Sequence, residues 1–339
     1  MTRIVPAAAL PGAEVRLEGS DLKPLGSHLP GVRFSGAPGY VTWAARDAAV
    51  ARIPEGALSG GVQLEYDAAD GLRQSNELPL NIGVPIADNL HPVANPALDA
   101  EGNIYVTFSG ARGQKVPVSL YKLDTSYTMK PFSTALVSPT GLAVDREGVL
   151  YVSSRQDGTV YRVLANGTAA PYAAGLGVAT GIAFDPQENL YVGDRSGTIF
   201  KIDRKRDTFV FATLEPSVAA YHLAFGPDGY LYVTGPSTSS FDPVWRISPD
   251  GVVTPFFRGL GRPQGLAFDV AGNLYVAASL RGRRGIVRIS PQAEAELVVS
   301  GLNLVGLAFA RGPALIVATN NGLFHMEWTV AGAPLPPLP

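Results

Sequence analysis

The chain has 339 residues, with 38 glycines, 28 prolines, no cysteine and a formal net charge of −2 at pH 7. The lack of cysteine excludes disulfides, thiolate metal sites and a cysteine nucleophile, and the slightly acidic balance argues against a surface built throughout to neutralise nucleic-acid phosphates. No long apolar stretch follows the amino terminus, so we expect no signal peptide, no membrane span and a soluble protein, either cytoplasmic or secreted after loss of a leader.

The first part of the chain, residues 1–82, carries short alternating runs separated by glycine, proline and serine, a pattern that predicts a small β-sandwich. The runs are Pro11–Leu22, Val32–Trp43, Val50–Tyr66 and Ser75–Ile82. Their order resembles the IPT/TIG family of immunoglobulin-like domains, and the match is carried by Val15, Gly19, Phe34, Gly36, Pro54, Gly56, Ser59, Gly60, Val62, Ser75 and Asn76. The resemblance implies a spacer or interaction module without catalytic groups.

From His91 to Trp328 the chain repeats one phrase six times, seen as PTGLAVDREGVLYVSS at Pro139–Ser154. Each repeat offers up to four strand-like runs, and a period of about 40 residues without helical periodicity is typical of propeller blades. We number the repeats one to six by the residue that each has at one equivalent position, in chain order Asn95, Gly141, Gly181, His222, Gly265 and Gly306. The prediction is an all-β protein, an immunoglobulin-like β-sandwich followed by a six-bladed β-propeller over residues 83–329.

The last repeat lacks a phrase for a fourth strand, and residues 330–339 form a proline-rich tail that is ill suited to pair in a sheet. The segment Val84–Leu90 resembles the outer-strand phrase Thr254–Leu260. We therefore expect residues 83–90 to close the ring as the outer strand of the last blade, which would remove an open sheet edge.

Two further regularities predict how the blades pack. Small residues recur in the first strand of each repeat, as expected where inner strands crowd a narrow axis. A tyrosine recurs in the second strand, and its expected role is packing between neighbouring sheets rather than ligand binding. These tyrosines are Tyr105, Tyr151, Tyr191, Tyr232 and Tyr275.

The repeats resemble the NHL-repeat group and, more broadly, the six-bladed superfamily that includes the gluconolactonase and senescence-marker lactonases. The resemblance covers Val84 to Trp328 and implies the fold more strongly than the function, since propellers serve both as enzymes and as binding platforms. The favoured interpretation is a non-catalytic propeller that binds a ligand or partner at the mouth of its channel, such as an anionic sugar, a glycan or an acidic peptide. The alternative is a lactonase-like hydrolase that depends on a divalent cation.

The first two strands of a blade are antiparallel, so the residues just before strand one and just after strand two lie at the same end of the channel, which we call the mouth. No pair of nucleophile and base is visible there, and Ser154 has the character of a turn residue. The candidate ligand-binding residues at these positions are Thr140, Ser154, Thr180, Asp194, Tyr221, His222 and Gln264.

Long connections between strands two and three of repeats one, four and five are expected to wall the mouth. Arg281 and Arg284 in repeat five are candidates for binding an anion. The other charged and aromatic residues of this rim are Arg112, Lys115, Phe241, Asp242 and Arg283, with Arg262 on the preceding connection. The alternative is that these arginines are solvated loop residues.

The resemblance to the lactonases also implies a calcium, zinc or manganese ion at the mouth. Asp194 matches the aspartate ligand of that family at the end of a second strand, and Asn95 offers an amide oxygen, although from a different repeat from the family's asparagine. The family's glutamate is replaced by His91–Ala94. Because a hard cation requires several oxygen ligands, this set is incomplete. The alternative role of Asp194 is to cap its own turn beside Arg195 and Ser196.

One basic run, Arg204, Lys205 and Arg206, raises the question of nucleic acid. It lies between strands three and four of repeat three, and we expect it on the mouth side, near the periphery. Without interleaved exposed aromatic residues it is typical of a solvated turn. The expected partner is therefore a small molecule, a glycan or a protein, and not a nucleic acid.

Overall fold

The computed structural model describes residues 1–23, 28–68, 71–111, 113–239 and 241–335. All regular elements within these ranges are β-strands, which confirms the all-β prediction. No helix in them has the length and apolar character needed to cross a membrane.

Ten strands precede the repeats: β1 (Arg3–Val5), β2 (Ala8–Ala9), β3 (Glu14–Glu18), β4 (Gly31–Phe34), β5 (Ala37–Ala44), β6 (Ala48–Arg52), β7 (Gly60–Ala68), β8 (Gly71–Gln74), β9 (Leu78–Ile82) and β10 (Val84–Ala87). One group of strands pairs in the order β1, β3, β6, β5, and β7 pairs with β4, β8 and β9. Side chains from both groups, among them Leu17, Phe34 and Leu64, fill one buried hydrophobic cluster. Residues 1–82, which we call the front unit, therefore have a core of their own.

Repeats one, two and three each form a separate antiparallel sheet of four strands that pair in chain order. Their strands are β11 (Ala97–Leu98), β12 (Ile104–Thr107), β13 (Leu120–Leu123), β14 (Met129–Ser133), β15 (Pro139–Val144), β16 (Leu150–Ser154), β17 (Thr159–Val163), β18 (Ala169–Ala173), β19 (Ala179–Phe184), β20 (Leu190–Asp194), β21 (Thr198–Ile202) and β22 (Thr208–Thr213).

Repeats four and five also contribute four strands each, paired antiparallel. The strands are β23 (His222–Phe225), β24 (Leu231–Thr234), β25 (Asp242–Ile247), β26 (Val253–Gly261), β27 (Leu266–Phe268), β28 (Leu274–Leu280), β29 (Arg283–Ile289) and β30 (Ala295–Ser300). These two groups are joined, because β26 runs on to Gly261 and pairs with the extended end of β28, with Leu260 opposite Leu280.

Repeat six contributes three strands, β31 (Leu304–Phe309), β32 (Ala314–Thr319) and β33 (Leu323–Glu327), and its sheet is completed from the other end of the repeat region. β10 pairs antiparallel with β33, and Val84 lies opposite His325. The two ends of the repeat region are thus held in one sheet, and the open edge of β33 is covered.

The first strands of neighbouring sheets come close together at the equivalent positions that define the repeats. A Cβ atom added to Gly181 would lie 2.8 Å from the Cα of His222. A Cβ on Gly306 would lie 2.7 Å from the Cα of Asn95, and one on Gly265 would lie 2.6 Å from Gly306. Glycine is required because no side chain fits at such distances. The contact from Gly306 back to Asn95 gives a β-propeller-like arrangement about an axis, which we call the hub.

The repeated tyrosines lie between sheets, as expected. Tyr191 packs edge-on against Phe211 of its own outer strand and against Phe225 of the next repeat, with ring centroids 4.9 and 5.0 Å apart. Tyr232 repeats this arrangement with Phe256 and Phe268. These edge-to-face contacts hold each sheet to the one that follows.

The front unit is fixed to the outer strands of repeats five and six. β2 pairs in parallel with β30 on one side and with β9 on the other. The amide of Leu10 donates to the carbonyl of Ser300 (2.8 Å), and the side chain of Asn81 donates to the carbonyl of Glu327 (2.6 Å). Leu10 also joins the hydrophobic cluster of repeats five and six, which contains Met326. The outer edge of β30 is therefore covered by β2 of the front unit.

The residues after β33 return to repeat five. The amide of Val270 donates to the carbonyl of Ala331 (3.0 Å), and the amide of Ala333 donates to the carbonyl of Phe268 (2.9 Å). The start of the tail thus pairs with a strand, in contrast to the expectation, because residues 331–333 precede the prolines and keep their amide donors. Residues 336–339 lie outside the described ranges.

Candidate functional site

A cavity of about 250 Å3 opens at the mouth, between the sheets of repeats five and six. We call it the mouth pocket. Its walls are the ends of β26 and β28, the start of β29 and the connections that lead into β27 and β31. The lining residues are Gly261, Arg262, Gln264, Ala277, Ala278, Ser279, Arg284, Gly285, Gly301, Asn303, Leu304, Val305 and Asn320. The polar groups among them are two guanidinium groups, three side-chain amides and one hydroxyl, with no carboxylate.

Both arginines of the mouth pocket are exposed, and neither forms an ion pair within the described residues. Arg284 lies opposite Ser279 in the pairing of β29 with β28. Arg262 follows β26 directly and adopts a left-handed backbone with φ of 48°. Two positive charges therefore border one small cavity without a protein anion to neutralise them, which favours an anionic ligand.

The two other arginines of the same hairpin have different environments. Arg283 is half-buried, and its guanidinium donates to the carbonyl of Val5 in the front unit (2.6 Å). Burial, together with the nearby charge of Arg16, lowers the pKa of Arg283. Arg281 is exposed at the tip of the hairpin and does not line the mouth pocket. Of Arg281 and Arg284, which the sequence analysis predicts to bind an anion, the structure places Arg284 in the mouth pocket and Arg281 outside it.

Three polar residues of the mouth pocket were not among the predicted site residues: Ser279, Asn303 and Asn320. Asn303 and Asn320 belong to repeat six, and the amide of Asn320 donates to the carbonyl of Asn303 (2.9 Å). Asn303 stands three residues before the hub position of its repeat, as Arg262 does in repeat five, and Asn320 directly follows β32. The sequence could have indicated Asn303 and Asn320, because the strand-end argument that selected Gln264 also places these two positions at the mouth.

Asp194 lies at the end of β20 and is buried, with 6% of its surface exposed. Its Oδ1 accepts from the amide of Val178 (2.7 Å) and from that of Ser196 (3.3 Å), and its Oδ2 accepts from the hydroxyl of Ser196. The carboxylate also lies against Gly177, where a Cβ would come within 2.6 Å of it. Both oxygens are therefore engaged in capping the turn that joins β20 to β21.

Asn95 has its amide engaged as well. Its Nδ2 donates to the carbonyl of Leu266 (2.8 Å), and its Oδ1 accepts from the amide of Leu307 (3.0 Å). It therefore ties repeats five and six to the hub and does not offer the free oxygen expected of a metal ligand. No group of three or more His, Asp or Glu side chains that would suit a cation occurs in the described residues. The proposed set of Asp194 and Asn95 does not fit a hard divalent cation.

The hydroxyl groups predicted to face the mouth are turned towards the backbone instead. Thr140 donates to the carbonyl of Ser138 (3.3 Å) and Ser154 to that of Val137 (2.8 Å). Thr180 donates to the carbonyl of Gly193 (2.8 Å). All three candidates are 1% exposed. They differ from the expectation of open polar groups because each hydroxyl satisfies a buried carbonyl at a strand end.

Tyr221 and His222 are also buried, at 2% and 4% exposed. The hydroxyl of Tyr221 donates to the carbonyl of Glu215, and its ring lies against Gly235, where a Cβ would come within 2.5 Å of it. Tyr221 is thus packed, not displayed at the rim. Within the described part of the chain the ring of His222 has no hydrogen bond, and burial lowers its pKa to about 4, so it is neutral near pH 7.

The connection between β24 and β25 supplies the rim with one aromatic side chain. Phe241 is 71% exposed, whereas its neighbour Asp242 is fully buried. Oδ1 of Asp242 accepts from the amide (2.9 Å) and the hydroxyl (2.6 Å) of Ser237. Asp242 therefore shapes the connection and does not present a negative charge to the mouth. Arg112 lies outside the described residues.

The basic run of repeat three is on the face opposite the mouth, and the expectation of a mouth-side position was wrong. Arg204 and Lys205 line a second cavity, of about 410 Å3, together with Glu188 and Asn189 of the turn that joins β19 to β20. In an antiparallel sheet, turns one–two and three–four lie at the same end. Arg204 pairs with Glu188 (3.6 Å), and Arg206 lies over the ring of Tyr172. This cavity carries both signs of charge.

Comparisons with known proteins show the fold. No family model and no curated protein matches the chain. A gluconolactonase from Xanthomonas campestris superposes on 73% of this chain and 89% of its own, with 16% identity and a TM-score of 0.60. Regucalcin, a calcium-binding protein from Agrobacterium tumefaciens, covers 76% of this chain and 96% of its own, with 16% identity and a TM-score of 0.58.

A third structure matches nearly the whole chain. It is an auxiliary nutrient binding protein from Bacteroides thetaiotaomicron, which covers 96% of this chain and 97% of its own, with 13% identity and a TM-score of 0.56. At these identities the likenesses show a shared β-propeller fold.

Proposed function

We propose that this protein binds a small anionic ligand, with sugar acids as the ligand class, in the mouth pocket and carries out no reaction on it. The observation that carries the proposal is a small cavity bordered by Arg262 and Arg284. Within the described residues neither arginine forms an ion pair, and no carboxylate is among those that line the cavity. A guanidinium group binds a carboxylate through two parallel hydrogen bonds, and the amides of Gln264, Asn303 and Asn320 are suitable partners for the hydroxyl groups of a sugar.

The size of the mouth pocket supports a ligand of monosaccharide size. Its volume of about 250 Å3 lies just below the range of roughly 300–1,000 Å3 that is usual for pockets that hold drug-sized molecules. The pocket therefore suits one six-carbon acid better than an acidic peptide or a long glycan.

The interpretation of the fold belongs to the same proposal. We interpret the six repeats as six blades of an NHL-like propeller, with residues 83–90 as the outer strand of the last blade and residues 1–82 as an IPT/TIG-like domain. The nutrient-binding protein that matches both parts of the chain agrees with a binding role. The gluconolactonase that matches the repeat region agrees in the same way with the hydrolase alternative. We favour binding because the oxygens of Asp194 and Asn95 are already used within the protein.

The test is isothermal titration of the full chain with glucuronate, galacturonate and gluconate, and with glucose as the neutral control. We expect at least one acid to bind and glucose to bind at least tenfold more weakly. Arg284→Gln should lower the affinity for the acid by about 10-fold or more, in line with the loss of a charged hydrogen bond.

Arg204→Gln is the matched control, because it removes an exposed arginine from the cavity on the opposite face. It should leave the affinity unchanged. Equal binding of glucose and the acids, or no binding of any acid, would contradict the proposal. An equal loss in both arginine variants would show that the effect is one of net charge and not of the mouth pocket.

A further inference from the structure

Arg262 occupies a backbone position that disfavours arginine. Its φ is 48°, in the left-handed region that residues other than glycine, asparagine and aspartate seldom adopt. Its successor is Pro263, and a residue before proline is normally held in the extended region. Arg262 is thus strained in two ways.

The equivalent residues of two other repeats show what the backbone itself requires. Ser138 in repeat two and Asn303 in repeat six also stand three residues before the hub position, with φ of 49° and 57°. Left-handed geometry therefore recurs at this position in repeats two, five and six, and asparagine is a residue that satisfies it at low cost. The backbone does not call for arginine at this position, and strained residues of this kind cluster at ligand-binding sites.

The surroundings of that side chain point to a ligand. Arg262 lines the mouth pocket with Arg284 and Gln264, and no carboxylate lines the pocket with them. Within the described residues its guanidinium forms no ion pair, ring contact or hydrogen bond. Two like charges beside one cavity repel each other unless an anion lies between them.

We propose that Arg262 is the residue that selects for a carboxylate in the mouth pocket, and that its strained backbone is the structural cost of placing a guanidinium group there. This inference rests on the proposed function and names the group that the ligand must carry. A planar carboxylate fits the fork of a guanidinium group, which lysine lacks.

The test compares Arg262→Gly, Arg262→Lys and the unmodified protein by thermal unfolding without ligand and by titration with the sugar acid that binds best. Arg262→Gly should raise Tm by about 1–3 °C, because glycine relieves the strain, and should weaken binding of the acid about 10- to 100-fold. Arg262→Lys retains the charge and should still weaken binding several-fold. Binding of glucose should stay unchanged in both.

Arg281→Gly is the matched control. Arg281 also has a left-handed backbone, with φ of 51°, but it does not line the mouth pocket. This variant should raise Tm to a similar extent and leave the affinity for the acid unchanged.

The outcomes separate the two proposals. If the unmodified protein binds no sugar acid, the proposed function fails and this inference fails with it. If the acid binds equally to the unmodified protein and to Arg262→Gly, the function stands and the role of Arg262 is overturned. A fall in Tm for Arg262→Gly would overturn the strain argument.

Discussion

In repeat three the second strand ends at Asp194 and brings a carboxylate to the mouth, whereas in repeat five the equivalent strand runs on to Leu280 and brings no acid. The turn after Asp194 is short, and Ser196 within it donates to both carboxylate oxygens. In repeat five the hairpin is formed by the longer strands β28 and β29, which are joined at Arg281 and Gly282. Arg284, on β29, lines the mouth pocket. The mouth ends of these two repeats thus carry side chains of opposite charge, one bound within the protein and the other lining a cavity.

This difference shows that a charged side chain at a strand end indicates a ligand-binding site only when it is not already hydrogen-bonded to the neighbouring backbone. The carboxylate of Asp194 accepts hydrogen bonds from Ser196, two residues on, and from the amide of Val178, as capping residues usually do. Arg262 and Arg284 have no acceptor of that kind in the described residues. The mouth over repeats five and six is therefore the better candidate site, although the sequence predicts a metal ligand at the carboxylate of repeat three.

The largest effect is expected at His222, on the hub between the two regions. Burial lowers its pKa to about 4, below the ordinary value of 6.5. Between pH 6.5 and 4 the unfolded chain binds a proton that the folded chain does not, so the free energy of unfolding falls as the pH decreases through this window. The loss is on the order of 3 kcal/mol at 1.36 kcal/mol per pKa unit, and urea unfolding at a series of pH values measures it.

His222→Gln is the control for this pH dependence, because glutamine does not titrate. The variant should lack this contribution, so its stability should fall less than that of the unmodified protein between pH 6.5 and 4. Parallel profiles for the two proteins would mean that His222 is open to solvent at the mouth, and the two regions would then share one water-filled site.

A smaller effect is expected from Asp194→Ala. The change leaves the partly buried amide of Val178 without its acceptor, and we expect a loss of about 1–3 kcal/mol in the free energy of unfolding. Binding of the sugar acid should not change, since Asp194 does not line the mouth pocket. Urea unfolding and titration check the two parts.

The lactonase alternative is tested with the same protein. A cation that binds the native state would raise Tm by mass action. We expect calcium, zinc and manganese to leave Tm of the unmodified chain unchanged. A rise in Tm that is lost in Asp194→Ala would restore the metal site and reverse the comparison between the two regions.

The sequence predicts the all-β, propeller-like arrangement, because each repeat carries the same pattern of strands and tyrosines. Tyr191 and Tyr232, read as packing residues, do lie between sheets. The predicted position of Arg204 was wrong. The alternation of strand direction places the turn between β21 and β22 on the face away from the mouth, and this could have been deduced from the sequence. The docking of the front unit on β30 depends on long-range packing, and no local pattern predicts it.

Less of the candidate site was predictable. The strand-end argument selected Gln264, and the long connection of repeat five selected Arg284; both line the mouth pocket. The strand-end argument also selected Thr140 and Ser154, which are buried. A hydroxyl at a strand end looks the same in sequence whether it faces a ligand or a neighbouring carbonyl. The free guanidinium groups are evident only once the position of every carboxylate around them is known.

Asn95→Ala is expected to cost about 1–2 kcal/mol in the free energy of unfolding, because two hydrogen bonds that tie repeats five and six to the hub are lost. Urea unfolding without added metal measures the loss. Asn95→Asp is the informative comparison, since an aspartate retains the acceptor for the amide of Leu307 but sets a negative oxygen against the carbonyl of Leu266. An Asp variant as stable as the unmodified protein would contradict the assignment of these two hydrogen bonds.

The smallest effect is expected from Arg281→Glu. This residue is exposed at the hairpin tip, outside the lining of the mouth pocket, and at 0.15 M salt its charge is screened over about 8 Å. Reversal of this charge should therefore weaken binding of a sugar acid by less than about threefold, and the remaining effect should vanish at 1 M salt, where the screening length is about 3 Å. A loss as large as that of Arg284→Gln, or one that persists at high salt, would mean that the tip closes over the ligand. The anion would then be held by the whole hairpin, and the contrast drawn here between Arg281 and Arg284 would not hold.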